Sequence, residues 1–500
     1  LTIDEIYHPD ARVDCSGRVP SGLTWLTDRE FLLRERDPAG RTALLAVNAD
    51  SGSRQPWVDA TALEQALAEL PGLDADAARA IAQRGRYTWN HDHSAAVFEV
   101  GSDLYLLRRP VDQDGGISRL TRDPALESMP SFSPDGQLVA FVRNHDLVVV
   151  DVGAHREWAL TENGTDDLLN GELDWVYQEE IYGRGNFKGY WWSPDSAHVA
   201  YLQTDESPVK EFTVVDHLPY RLELETTDYP KAGDLNPLVR LGVVPAVGGE
   251  TVWADLGRYT PTDLLIVSVD WTPDGDAVVF QTQNREQTWL DLNLADPVTG
   301  DSIRLFQETT PAWVDVHGDP TWLEDGSFLW LSERSGWKHL YHYESDGTPT
   351  GQVTDGEWEL RTLHGVDESG GWIYFSGTER SPIGGDVYRV RLDGSGLTRL
   401  SERNGTHRAN FNPSFTRYID TWSDIHTPPQ VRIHQANGTE IRVVSENQVG
   451  SLSRYRLSTP EFLQIESRDG FVMEAMLSLI HISEPTRRTP ISYAVFWLKK

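Results

Sequence analysis

Two adjacent carboxylates, Glu179 and Glu180, stand inside the aromatic stretch Leu173-Asp-Trp-Val-Tyr-Gln-Glu-Glu-Ile181, and eleven residues further on comes Trp191-Trp192-Ser193-Pro194-Asp195. Acids partly shielded from water can hold a protonated amine through charge-assisted hydrogen bonds. Taken alone, Glu-Glu reads as an acidic surface turn, and the flanking aromatic motif is what favours a binding role. Other chemistry is missing from the pattern. No Gly-x-Ser-x-Gly elbow, His-Glu-x-x-His zinc motif, Gly-x-x-x-x-Gly-Lys-[Ser/Thr] phosphate loop or dinucleotide fingerprint occurs in the 500 residues. His91 and His93 have a spacing that could bind metal from one strand face, yet Asn90-His-Asp-His reads better as a turn; His339 and His342 read as surface or packing residues. No metal and no cofactor is expected.

A scaffold must hold such a pair in place, and the length of the chain asks for two or more domains or one large repeat architecture. The formal charge of -33 argues against nucleic acid and anionic lipid as partners. No run of about 18 apolar residues suggests a membrane span. Leu1-Thr-Ile-Asp-Glu lacks the basic start and apolar centre of a signal peptide, and a leading Leu is expected of a mature or incomplete chain, so export stays open. The single Cys15 excludes an internal disulfide without fixing the compartment; a periplasmic or secreted location is favoured over a cytoplasmic one.

Periodicity selects the repeat architecture. An aromatic or apolar residue precedes a Pro-Asp-Gly-like turn and then an apolar strand in Phe132-Ser-Pro-Asp-Gly-Gln-Leu-Val-Ala-Phe141, Trp192-Ser-Pro-Asp-Ser-Ala-His-Val-Ala-Tyr201 and Trp271-Thr-Pro-Asp-Gly-Asp-Ala-Val-Val-Phe280. Weaker copies start at Trp25, Trp89, Trp322, Val366 and Phe411, giving eight starts. The shorter spacings, 43 to 51 residues, match one four-stranded propeller blade, so the chain is expected to be all-β, an eight-bladed β-propeller. The longer intervals must hold insertions. Two short helices are expected after Asp59 and Asp74, the Glu179-Glu180 segment fills another interval, and residues 209–247 read as a long hairpin-like excursion.

The acid pair with its Trp-Trp-Ser-Pro-Asp flank resembles the substrate-anchoring segment of the dipeptidyl-peptidase IV family, serine peptidases of the prolyl oligopeptidase clan. Tyr229-Pro-Lys-Ala-Gly-Asp-Leu-Asn-Pro-Leu-Val-Arg-Leu-Gly-Val-Val244, Trp330-Leu-Ser-Glu-Arg-Ser-Gly-Trp-Lys-His-Leu-Tyr341 and Asp420-Thr-Trp-Ser-Asp-Ile-His-Thr-Pro-Pro429 extend the resemblance over essentially residues 1–476. It implies an exopeptidase that releases Xaa-Pro or Xaa-Ala dipeptides, with Glu179 and Glu180 gripping the free α-amino group. It also implies an arginine near the substrate carbonyl, for which Arg84 and Arg86 are the candidates, although solvated helix-end cations are the competing reading. A catalytic serine, histidine and aspartate would belong to a domain outside these residues, so no catalytic residue is assigned.

Three segments follow from this reading: the propeller at 1–458, the first strands of an α/β-hydrolase domain at 459–476, and a tail at 477–500. Back-translation of the tail permits a sequencing-adapter sequence, so it is expected to be translated library DNA, an authentic amphipathic tail being the alternative. The fragment is expected to be inactive, with peptides bearing a free N-terminus as partners of the parent enzyme. A homodimer through residues 209–247 is a further expectation. Two other readings stand beside the first: a non-catalytic peptide-binding or scaffolding propeller, and a peptidase of the same clan that accepts blocked or internal peptides.

Overall fold

The computed structural model describes residues 3–9, 12–36, 42–84, 86–110, 116–455 and 459–477. Eight antiparallel sheets follow one another along the chain and form the blades of a propeller: blade 1 (24–58), blade 2 (88–119), blade 3 (127–159), blade 4 (168–253), blade 5 (264–309), blade 6 (321–352), blade 7 (360–399) and blade 8 (406–445). Each is four-stranded except blade 4, which has five strands.

Seven of the eight repeat starts fall at or within one residue of the end of the first strand of a blade, and Trp192 ends the second strand of blade 4; in each case a local turn leads into the next strand. At Phe132 the Ser133 hydroxyl donates to Asp135 Oδ1 at 2.6 Å and accepts from Leu138 N at 3.0 Å, while Gly136 N donates to Ser133 O at 2.8 Å. Gly136 sits at φ 72°, a conformation that costs glycine nothing. Blade 5 repeats the arrangement with Thr272, Asp274 and Gly275. Blade 4 uses Ser196 at φ 64° in place of the glycine, and its hydroxyl accepts from Asp135 N of blade 3 at 3.1 Å.

Eight buried apolar clusters fill the eight seams between neighbouring blades, each drawing side chains from both sides. The first is wedged open by the two helices, Ala60–Ala68 and Ala75–Arg84, which bury Leu63, Leu67 and Ala78 between Val58 of blade 1 and Phe98 and Tyr105 of blade 2. Asp59 caps the first helix, accepting from Thr61 N and Ala62 N. The last joins Phe31, Leu33 and Val47 of blade 1 to Ile419, Val431 and Ile433 of blade 8, so the ring is closed. That seam shares no strand: blade 1 draws its strands from 24–58 and blade 8 from 406–445. Hydrogen bonds from Trp25 Nε1 to Asn410 O (2.9 Å) and from Arg442 Nε to Ala49 O (2.7 Å) support it, with Arg417 paired to Asp50.

Residues 209–247 are not one excursion. Leu238–Pro245 pairs with His198–Asp205 over eight residues inside blade 4, burying Val239, Leu241, Val243 and Val244. The projecting part is the hairpin Glu211–Asp216 with Glu223–Asp228, whose Leu218, Tyr220, Leu222 and Leu224 are exposed. The strand was disguised because its sheet partner precedes the whole hairpin, so local patterning attached it to the insertion. Residues 461–477 form a separate hairpin, Glu461–Glu466 with Val472–Leu477, which exposes Phe462, Phe471, Val472 and Met476. Leu477 belongs to this hairpin; the rest of the expected tail, 478–500, lies outside the described residues.

Candidate functional site

Glu179 and Glu180 lie on a wide helical turn, Tyr177–Ile181, between the first two strands of blade 4. Asp174 starts it, its carboxylate accepting from Val176 N (2.9 Å) and Tyr177 N (3.1 Å). Burial pushes the Asp174 carboxyl up to about 6 against those two hydrogen bonds. The turn closes through Tyr182 N to Tyr177 O at 2.8 Å.

Two tyrosines fasten the turn to blade 5. Tyr177 is fully buried, and its hydroxyl oxygen accepts from Ile266 N at 3.2 Å; the Tyr182 hydroxyl donates to Ile266 O at 3.2 Å. Blade 5 has a register shift between Ile266 and Ser268, the irregularity beside which the N–H and C=O of one residue are each met by a side chain. Ile181 packs into the core between blades 5 and 6, and Trp175 meets Tyr229 of the Tyr-Pro-Lys-Ala-Gly segment with ring centroids 4.2 Å apart.

The two acids differ. Arg184 donates from Nε to both oxygens of Glu179, at 2.7 and 2.9 Å, and its second terminal nitrogen lies 2.5 Å from Oε1. The Glu179 side chain is 18% exposed and that of Arg184 is 84% exposed. Arg184 holds the Glu179 carboxyl below the usual carboxylate range. Glu180 is exposed and makes no hydrogen bond or ion pair among the described residues. Among the described residues the pair is thus one free and one clamped carboxylate. Gly183 and Gly185 flank Arg184 at φ 99° and 84°, and buried Gln178 accepts from Gly185 N at 2.8 Å, which brings the loop back over the turn.

More acid surrounds the root of the turn. Glu206 is buried, and its carboxyl is pushed up to about 8 by burial first and then by Asp174, Asp228, Asp167 and Glu172. Lys188, whose Nζ donates to Tyr190 O at 2.7 Å, is lowered to about 8 by burial.

Arg86 is exposed beside Glu99, and among the described residues no hydrogen bond or ion pair links it to Glu179 or Glu180; the Arg84 side chain lies outside the described residues. The arginine that does meet the acid pair, Arg184, was missed by sequence reasoning, although Gly183-Arg184-Gly185 was the signal for a return loop. His93 occupies a turn at φ 56° and packs against Trp57 and Trp89. His339 is buried against Thr354 and Gly356 O, and His342 meets Ser327. Among the described residues no group of three or more His, Cys, Asp or Glu side chains is placed to hold a metal ion.

The chain matches the family model of the dipeptidyl peptidase IV N-terminal region over residues 86–429. It is 27% identical over 447 residues to a probable dipeptidyl-aminopeptidase B of Emericella nidulans, covering 82% of this chain and 47% of the relative. It is 28% identical over 409 residues to dipeptidyl peptidase 4 of Arthroderma otae, covering 77% and 51%. The chain thus spans about half the length of the curated relatives it matches. Among solved structures, Porphyromonas gingivalis dipeptidyl peptidase 4 superposes with a TM-score of 0.78 at 26% identity, covering 92% of this chain and 65% of that one. A putative dipeptidyl aminopeptidase IV from Bacteroides ovatus shares the fold with a TM-score of 0.75 at 19% identity, covering 94% and 66%. With eight blades, an acid pair seated on a turn of the fourth, and a family match across most of the ring, this chain belongs to the dipeptidyl peptidase IV N-terminal region family.

Proposed function

We infer that this propeller selects substrates for a serine exopeptidase that releases Xaa-Pro or Xaa-Ala dipeptides from peptide N-termini, with Glu179 and Glu180 receiving the α-ammonium. The observation that carries the reading is the pair itself: one exposed carboxylate beside one clamped carboxylate, rooted in the cores of two blades. An α-ammonium keeps its proton to about pH 8, so it pairs with Glu180 and with the lone pairs of Glu179 that Arg184 leaves free. A peptide with an acetylated N-terminus would bring no charge and leave Glu180 unpaired, which costs affinity.

The hairpin at 461–477 fits the opening strands of a hydrolase domain that would supply serine, histidine and aspartate. The chain alone would then bind peptide amines weakly and hydrolyse nothing, since an anchor without a nucleophile lowers no acyl-transfer barrier. The exposed apolar hairpin at 211–228 is the proposed contact of a homodimer in the parent, and a periplasmic or secreted location is the proposed compartment. No described helix is long and apolar enough to cross a membrane. The test is hydrolysis by the uninterrupted parent protein of Xaa-Pro substrates with free and acetylated N-termini. Cleavage of the free form alone is expected, and equal turnover of both overturns the assignment.

A further inference from the structure

Where the chain enters and leaves the ring, residues 12–18 and 445–454 line a wide, open cleft to which the exposed Arg12, Arg18 and Arg454 contribute. None of the three has a hydrogen-bond or ion-pair partner for its guanidinium among the described residues. The one acid in the lining, Asp14, is already engaged: its Oδ1 accepts from Ser16 N (2.9 Å), the Ser16 hydroxyl (2.9 Å) and Gly17 N (3.0 Å). The walls are tied to each other. Arg18 N donates to Asn447 Oδ1 at 2.9 Å, Asn447 Nδ2 donates to Ser16 O at 2.9 Å, and the Ser451 hydroxyl donates to Asp14 O. The cleft is therefore a fixed junction of two chain segments, and three cations gather in it on a protein whose formal charge is -33.

Elsewhere on such a surface an anion is repelled. Three planar guanidinium groups whose donors are unspent among the described residues suit an oxyanion, because each can present two parallel N–H groups to a carboxylate or a phosphate, although Arg18 also attracts Asp14. Asn447 keeps one amide hydrogen beyond the one it gives to Ser16 O. We propose that this cleft, remote in sequence from Glu179 and Glu180, is an oxyanion-binding site that takes one phosphate-sized or carboxylate group. The anion has two possible sources with the same chemistry: a free ion, or an acidic side chain from sequence of the parent protein that this chain does not contain.

Thermal unfolding at fixed ionic strength, with inorganic phosphate replacing chloride up to about 10 mM, separates the outcomes. The full chain is expected to gain about 1–2 °C in Tm, as binding at tenfold saturation would give a protein of this size. The double variant Arg18→Gln/Arg454→Gln is expected to lose that gain. The same titration on the uninterrupted parent identifies the source. An equal gain there marks a free anion; no gain, together with a Tm lowered by the double variant, marks a carboxylate of the parent itself. A wild-type chain that responds to phosphate no more than the double variant overturns the proposal. The readout does not depend on peptide binding, so failure of the acid-pair assignment leaves it standing.

Discussion

Arg184 and Glu179 are five residues apart and meet through two hydrogen bonds at 2.7 and 2.9 Å, so one half of the acid pair carries its own counter-ion while Glu180 carries none. In the parent enzyme, Glu179→Gln and Glu180→Gln are each expected to lower kcat/KM for free-amine peptides by about 10- to 100-fold. Glu179→Gln also leaves the Arg184 guanidinium uncompensated next to the incoming ammonium. The double variant Glu179→Gln/Arg184→Ala should therefore recover part of the loss. Steady-state kinetics in low salt checks this; a double variant worse than the single one contradicts it.

At the seam between blades 8 and 1, packing and charge make unequal contributions. Ile433 is fully buried there, and Ile433→Ala is expected to cost about 2–5 kcal/mol through lost transfer free energy and the cavity left behind. The Arg417–Asp50 pair, with side chains 21% and 42% exposed, is worth about 0–1 kcal/mol, so Arg417→Ala should be nearly silent. Urea denaturation midpoints of the two variants should separate clearly.

His407 is buried with both ring nitrogens facing acceptors: Nδ1 lies 2.7 Å from Asp420 Oδ2 and Nε2 lies 3.1 Å from Arg403 O. The Arg403 carbonyl can only accept, so Nε2 carries a proton, and the charged form adds a second proton at Nδ1, facing Asp420. Burial opposes that charge, but the hydrogen bond and the attraction of Asp420 outweigh it and raise the His407 pKa. A raised native value gives stability that is complete below the unfolded pKa of about 6.5 and is lost as pH rises through the native value. His407→Leu is expected to cost about 3–5 kcal/mol at pH 6, because it strands Asp420, and to cost less at high pH. Chemical denaturation across pH 5.5–9 measures the difference.

Glu206 makes the same linkage with a carboxyl. Its native value of about 8 lies above the unfolded value of about 4.3, so the folded protein holds the extra proton and stability falls as pH rises through that window. Glu206→Gln mimics the protonated form. It should leave stability near pH 4 almost unchanged and raise it at pH 9 by on the order of a few kcal/mol, read from denaturant midpoints at the two pH values. A variant that destabilises equally at both would refute the assignment.

The eight starts were legible in the sequence because each is a local device. At Phe132, Trp192 and Trp271 a Ser or Thr hydroxyl, an Asp two residues later and a residue at positive φ make the turn from neighbouring residues, and at Trp89 and Phe411 an Asn side chain does so. The helix caps at Asp59 and Asp74 were legible for the same reason. The strand Leu238–Pro245 was not, since its partner His198–Asp205 is separated from it by the whole projecting hairpin. At the site, the positions of Glu179 and Glu180 were readable from their aromatic neighbours, but the pairing with Arg184 was not. It depends on a five-residue turn and on Gln178 holding Gly185, neither of which leaves a periodic trace.

The two tyrosine hydroxyls that grasp the N–H and C=O of Ile266 give the acid pair a second address. By covalent connection the glutamates belong to blade 4, yet their height and tilt are read from the backbone of blade 5. A shift of either blade against the other would drag the carboxylates with it. A substitution in the strand around Ile266, touching neither glutamate, should therefore move the point from which a bound peptide is measured.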